Sequence, residues 1–309
     1  MWNNTTKTNF LYGVDADGVA IPFEEVKKSI RSEILEELKE GKRVSAKQSE
    51  AYKKIKSKDT LKMLVDESLG GFIFSHYEEI LNILIDEKGG FDGALVFRFI
   101  YLSTFMDYNN KLRFGASYRL KDRGDMIEKD LKEILGLSKK QVWEFKNKVI
   151  NLGLLTISKD NTLTINIKYC HKGAIKNSLK GDSIRIFEEG IQQLYRNSLP
   201  KEHKRLGMLI KLIPYLNKQH NILCFNVEEE KPLNILPLSI QDICNIVGHA
   251  VKNARRLEGE LLKITVGGQP LIMKHSKFNS MIYSINPKLF YKGDNIESLQ
   301  ALINLFYIK

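Results

Sequence analysis

Apolar residues recur along this chain with two periods, and the switches between them outline its elements. Val26, Ile30, Ile34 and Leu38 repeat every four residues between Pro22 and Gly41, so the pattern predicts a helix there, with Glu36, Glu37, Lys39 and Glu40 around the stripe. A second, very polar helix is expected at 45–58. Ahead of both, 12–21 alternates as a short hairpin turning at Asp17 and Gly18. Asp15 and Asp17 resemble the opening of a calcium loop, but no Glu stands at its twelfth position, so the turn is preferred. A single apolar stripe with charged flanks suits either a surface helix or a partner helix, which offers a route to homo-oligomers through this arm.

Beyond residue 70 one order of elements occurs twice. The first copy starts with an apolar helix, Ala94 to Tyr108, and a connection rich in Lys and Arg, 111–123. Asp130 to Gly136 then reads D-L-K-E-I-L-G, and Ser138 is placed to cap a helix running to Leu152, which Gly153 stops. Leu154 to Ser158 and Thr162 to Ile167 alternate as two strands. The second copy starts with Leu206 to Leu216 and continues after the acidic run Glu228, Glu229 and Glu230. There Ser239 and Asp242 approximate a capping box, and Asp242 to Gly248 repeats the D-apolar-x-x-I-apolar-G spelling. A helix from His249 to Leu262 follows, then a hairpin of Ile264 to Val266 with Leu271 to Met273.

The ends of the copies also agree. Residues 165–173 and 285–293 share I-N-x-K-x-x-x-K-G. From the shared glycine to the shared isoleucine is 29 positions in one copy and 37 in the other, and the extra length is expected in the second hairpin. Helix, turn, helix and hairpin is the order of a winged helix-turn-helix. The expected fold is mainly α with small β-hairpin wings (α+β): an arm at 1–70, a first winged-helix domain at 71–180 and a second at 181–309.

In a helix-turn-helix the second helix packs one face inward and offers the other to the major groove. Spacing assigns Val142, Phe145, Val149 and Leu152 inward, leaving Lys139, Lys140, Asn147 and Asn151 outward with Lys146 and Lys148 at the flanks. Trp143 is expected to be a partly buried aromatic. In the second copy Val251, Ala254, Leu257 and Leu261 form the inner stripe, and Lys252, Asn253, Arg255 and Arg256 lie outside it. Arg suits a guanine edge and Asn an adenine edge. Lys159 in the first hairpin, and Lys274, His275 and Lys277 in the second, suit phosphates.

Charge supports this picture without creating it. The net charge is +11, with an excess of +1 over 1–70 and +5 in each later part, as a polyanionic partner would require. The three cysteines are scattered without C-x-x-C spacing, which fits a reducing cytoplasm rather than disulfides or zinc. No phosphate loop, H-E-x-x-H, G-x-S-x-G or H-x-H spelling occurs, and the six histidines are isolated. The start is polar and no apolar run is long enough to span a membrane. No catalytic residue, cofactor or metal is therefore expected, and double-stranded DNA is the expected partner.

The second copy, through 285–294, resembles the closing segment of winged-helix replication initiators of small Firmicute plasmids. The tandem order resembles the two-winged-helix initiators of theta-replicating plasmids. That resemblance covers about 90–300 and implies origin or operator binding without catalysis. A plasmid or phage replication initiator is the leading expectation. A transcriptional regulator is the alternative, and a winged-helix module that binds a host protein is an alternative of another class.

Overall fold

The computed structural model describes residues 12–14, 20–22, 32, 69–84, 91–114, 124–173, 182–277 and 280–307. Contacts divide the chain into units 1–64 and 65–309. In the first, β1 (Tyr12–Val14) pairs antiparallel with β2 (Ala20–Pro22), as the alternation requires. The Asp17–Gly18 turn and, apart from Ser32, which is helical, the expected arm helices lie outside the described residues.

The second unit is α+β, with helices around small antiparallel sheets. Its first copy comprises β3 (Phe72–Ser75), α1 (Tyr77–Leu84), α2 (Gly93–Ser103), α3 (Leu131–Leu135), α4 (Lys139–Asn151), the hairpin β4 (Leu155–Ile157) and β5 (Leu163–Ile165), and β6 (Cys170–His171). Its second comprises β7 (Ile184–Phe187), α5 (Glu188–Arg196), α6 (His203–Gly207), α7 (Ile240–Val247), α8 (Ala254–Leu261) and the hairpin β8 (Thr265–Val266) and β9 (Gln269–Pro270). A longer hairpin, β10 (Ile272–Lys277) and β11 (Ser280–Ile285), then leads to β12 (Phe290–Tyr291) and α9 (Ile296–Tyr307).

Several boundaries differ from expectation for local reasons. Asp92 caps α2 by accepting from Leu95 N at 3.0 Å, and Thr104 closes it, so the helix stops before Tyr108. Where a helix from Leu206 to Leu216 was expected, α6 passes into a 3-10 stretch, Met208–Tyr215, that contains Pro214. The second copy builds two hairpins: β8 pairs with β9, and β10 with β11 over six residue pairs. Asn166 Nδ2 donates to Gly153 O and Asn286 Nδ2 to Pro270 O, which makes Gly153 and Pro270 equivalent. Gly136 to Gly153 spans 17 positions and Gly248 to Pro270 spans 22, so five of the eight extra residues precede the long hairpin. Those five fall in the stretch that carries β8 and β9 of the expected hairpin, and the remaining three fall between Pro270 and Ile285.

The copies meet in one four-stranded antiparallel sheet of order β12-β7-β3-β6. Phe74 pairs with Arg185 at its middle, flanked by Ile73 with Ile186 and Ser75 with Ile184. Each copy supplies an inner strand and, from its I-N-x-K-x-x-x-K-G segment, an outer one. Antiparallel pairing of equivalent strands relates the copies by an approximate two-fold axis. One buried apolar cluster runs through both, from Ile73 and Phe99 to Leu257 and Phe290. On the helical side α2 and α6 cross with their backbones close, and a Cβ on Gly207 would overlap the Gly93 carbonyl.

Two buried asparagines hold equivalent positions in the copies. Asn110 (φ 61°) and Asn221 (φ 48°) adopt left-handed backbone. Asn110 Nδ2 donates to Ile165 O at 3.2 Å and Cys170 O at 2.8 Å, and Asn221 Nδ2 to Ile285 O at 3.2 Å and Phe290 O at 2.7 Å. Each ties the end of a hairpin to an outer strand of the shared sheet. Asn221→Ala should destabilise the chain by about 2–4 kcal/mol, because two buried carbonyls lose their donor and Ala resists positive φ. Asn221→Gly relieves only the backbone and should fall between the two in urea unfolding. Equal losses for Gly and Ala would show that φ contributes nothing.

Candidate nucleic-acid interface

The spelling D-apolar-x-x-I-apolar-G has a physical basis at both its ends. Asp130 Oδ2 accepts from Ile127 N at 3.0 Å, and Asp242 Oδ2 from Ser239 N at 2.8 Å. Gly136 (φ 60°) and Gly248 (φ 76°) end α3 and α7 in left-handed conformation, which Gly adopts without a Cβ penalty. The repeat is thus a short helix bounded by an acidic cap and a glycine stop, and its apolar positions Leu131, Leu135, Ile243 and Val247 are buried.

In the first copy Ser138 opens α4 two residues beyond Gly136, accepting from Gln141 N at 3.3 Å. Phe145 and Val149 are buried, and Val142 and Leu152 pack against the core, as their spacing requires. Lys139, Lys140, Lys148 and Asn151 are exposed and Asn147 is half-buried. Ion pairs engage several of these cations. Lys148 Nζ lies 2.8 Å from Asp92, Lys146 Nζ 2.5 Å from Glu128, and Lys140 Nζ 4.0 Å from Glu144. Trp143 is 62% exposed, so its expected burial is corrected. It stands one residue past Val142, turned about 100° from that residue and about 140° from the middle of the inner stripe.

Copy two also feeds this site. Tyr195 Oη from α5 donates to Leu135 O at 2.8 Å, and Tyr101 Oη from α2 donates to Ile134 O at 3.2 Å. Their rings stack at 3.7 Å, 4° from parallel. The tyrosines thereby meet the last carbonyls of α3, just ahead of the turn into α4. His203 packs on Tyr195 and accepts from Arg98 Nε at 3.2 Å. Burial, reinforced by the Arg98 charge, pushes His203 down to about 4, so the imidazole is neutral at pH 7.

In the second copy the helix expected to face DNA begins later than the spacing predicts. Ala250 is extended (ψ 125°), Val251–Asn253 forms a 3-10 turn, and α8 starts at Ala254 rather than His249. Lys252 and Asn253 therefore precede α8, while Arg255 and Arg256 lie in its first turn. Ala254, Leu257 and Leu261 are buried, but Val251 is exposed, which corrects its place in the inner stripe. Lys252 and Arg255 are exposed, Asn253 is half-buried, and Arg256 Nε lies 3.8 Å from Glu260. Among the described residues Lys139, Lys159, Lys252 and Arg255 make no ion pair.

The hairpin residues expected to meet phosphates are less uniform. Lys159 is exposed at the tip of the first. Lys274 Nζ lies 2.7 Å from Glu258. Burial would raise the Glu258 carboxyl, but Lys274 and the Tyr283 hydroxyl outweigh it and hold its pKa low. His275 is half-buried, and burial lowers its pKa, which favours the neutral imidazole. Lys277 occupies the last position of β10. Among the described residues no cluster of three His, Cys, Asp or Glu could hold a metal, and no helix is long and apolar enough to cross a membrane.

Asp92 couples the cap of α2 to the flank of α4. Burial would raise its carboxyl, yet Lys148, Leu95 N–H and Arg98 outweigh it and hold the pKa below the ordinary value. A depressed carboxyl stabilises the fold above its unfolded pKa, and that contribution is lost as pH falls through the native value. Asp92→Asn should lower the thermal midpoint at pH 7, and the gap should narrow below about pH 4. An unchanged gap throughout a pH series would assign the loss to packing instead of charge.

Comparison with family models, curated proteins and solved structures finds no match for this chain.

Proposed function

We propose that this chain binds double-stranded DNA in a sequence-specific manner through two tandem winged helix-turn-helix units, with α4 and the segment 251–261 as the reading elements. The observation that carries the reading is the paired module: a short capped helix, a left-handed glycine, a second element with exposed cations, and a hairpin. It recurs on both sides of an approximate two-fold axis. Duplex DNA has local two-fold axes of its own, and two-fold related readers match inverted half-sites. Because α4 and α8 differ in sequence, the two half-sites should be inverted in orientation but unlike in base sequence.

The genetic role we assign is initiation at repeated origin sites of a plasmid or phage, which rests on the resemblance in element order and closing motif. Operator binding by a transcriptional regulator uses the same chemistry. The two differ in whether loss of the bound sites abolishes replication or only changes expression of a nearby gene.

Selection of binding sites from a random duplex library, followed by footprinting, tests the reading. One enriched site is expected, with two protected half-sites about 10 bp apart. Lys252→Ala should weaken binding across sequences and reduce the salt slope by about 1. Arg256→Ala should cost about 1–3 kcal/mol on the selected site and much less on random DNA. A salt-insensitive interaction without an enriched site would overturn the reading.

A further inference from the structure

The outward faces of the two reading elements differ in chemistry. On α4, helical spacing sets Asn147 opposite the buried Phe145 and Val149 stripe. Trp143 and Ile150 lie on one side of Asn147, and Lys140, Glu144 and Asn151 on the other. Trp143 at 62% and Ile150 at 36% exposure place an apolar strip on a face that would otherwise meet only water. Trp143 lies in the second turn, within the N-terminal half of the helix that reaches base edges in this docking geometry. Two of the nearby cations, Lys146 and Lys148, are drawn to Glu128 and Asp92 at the helix flanks. α4 also exposes Lys139 and Lys140 in its first turn but carries no Arg, whereas 251–261 presents Lys252, Arg255 and Arg256.

The apolar group that a major groove offers an indole is the C5 methyl of thymine. Asn147, one turn beyond Trp143, matches the N6 and N7 edge of adenine, whereas Arg255 and Arg256 match guanine O6 and N7. We propose that Trp143 is a specificity-determining residue which packs on thymine methyl groups. In this arrangement α4 reads an A·T-rich half-site and 251–261 a guanine-bearing one, so the bound site is chemically asymmetric about its axis. This rests on the DNA-reading function above and names which bases each half of the interface selects.

Deoxyuridine differs from thymidine only by that methyl and so isolates the contact. On the selected duplex, thymines of one half-site at a time are replaced by deoxyuridine, and affinity is measured for the parent and for Trp143→Ala. Substitution in the A·T-rich half should weaken the parent about fourfold per contacted methyl, the value of one buried methyl group. Trp143→Ala should bind the thymidine site more weakly and should not distinguish thymidine from deoxyuridine. Trp143→Phe should recover part of the discrimination. Because the indole is exposed, Trp143→Ala should unfold at the parent's urea midpoint, which separates lost contact from lost fold. The inference is overturned if deoxyuridine in the A·T-rich half leaves parental binding unchanged, or if Trp143→Ala keeps the discrimination. In both cases the parent still binds its selected site and the DNA-reading function stands. Failure to enrich any site is a different result and removes that function itself.

Discussion

Pairing of Phe72–Ser75 with Ile184–Phe187 is the constraint from which the rest of the second unit follows. Without it each copy would keep only a two-stranded ribbon, β3 with β6 or β7 with β12, having an inner edge of unpaired backbone groups. Such ribbons are marginal in water, and their edges invite pairing with other chains. Joining the inner strands turns two ribbons into one sheet and lets apolar residues of both copies form one cluster. The two elements proposed to read DNA, α4 and 251–261, are consequently positioned by one body. Flexibly linked modules would pay an orientational cost at each binding step that this arrangement avoids.

The join is reinforced by side chains of the repeated closing motif. Lys172 Nζ reaches Glu188 at 2.5 Å, in the other copy. Its equivalent, Lys292, is nearly buried, lying 2.8 Å from Asp182 and over the ring of Tyr77. A buried ammonium is costly unless paired, so these lysines are retained where a carboxylate or an aromatic face meets them. Asn110 and Asn221 then carry the geometry outward, since each bonds a hairpin end and an outer sheet strand with one amide group. Sheet and hairpin are thereby linked within each copy by one buried amide group.

The repeat could be read from sequence because its letters have local causes. Asp130 and Asp242 accept from backbone N–H groups three residues earlier, and Gly136 and Gly248 take a backbone that other residues resist. Asn110 and Asn221 carry an equally specific role, but their partners lie 55 to 69 positions away, and the only local sign is the short N-x-L-x-F spelling shared by 110–114 and 221–225, which does not reveal those partners. The shared sheet was missed for a similar reason. β3 and β7 are four-residue apolar strands whose pairing is set by the other copy, and such short runs carry no period of their own. Trp143 was assigned by residue type, with burial as the default for an indole, although its position beside Val142 turned it outward.

Counting lysines overstates how alike the two candidate interfaces are. In α4, Lys146 and Lys148 meet acids on neighbouring elements, Glu128 and Asp92, so part of their charge anchors the helix to its own module. In the second copy Lys274 is similarly engaged by Glu258, and the extended residue Ala250 moves Lys252 and Asn253 off the helix. Exposed ion pairs hold little energy, so a phosphate can still recruit such a lysine, but it must compete with a partner already in place. Lys139, Lys159, Lys252 and Arg255 face no such competition among the described residues and are better placed to release counterions on binding. Under the proposed function, electrostatic attachment would be spread over both modules, while discrimination between bases would depend on the few side chains that differ between them.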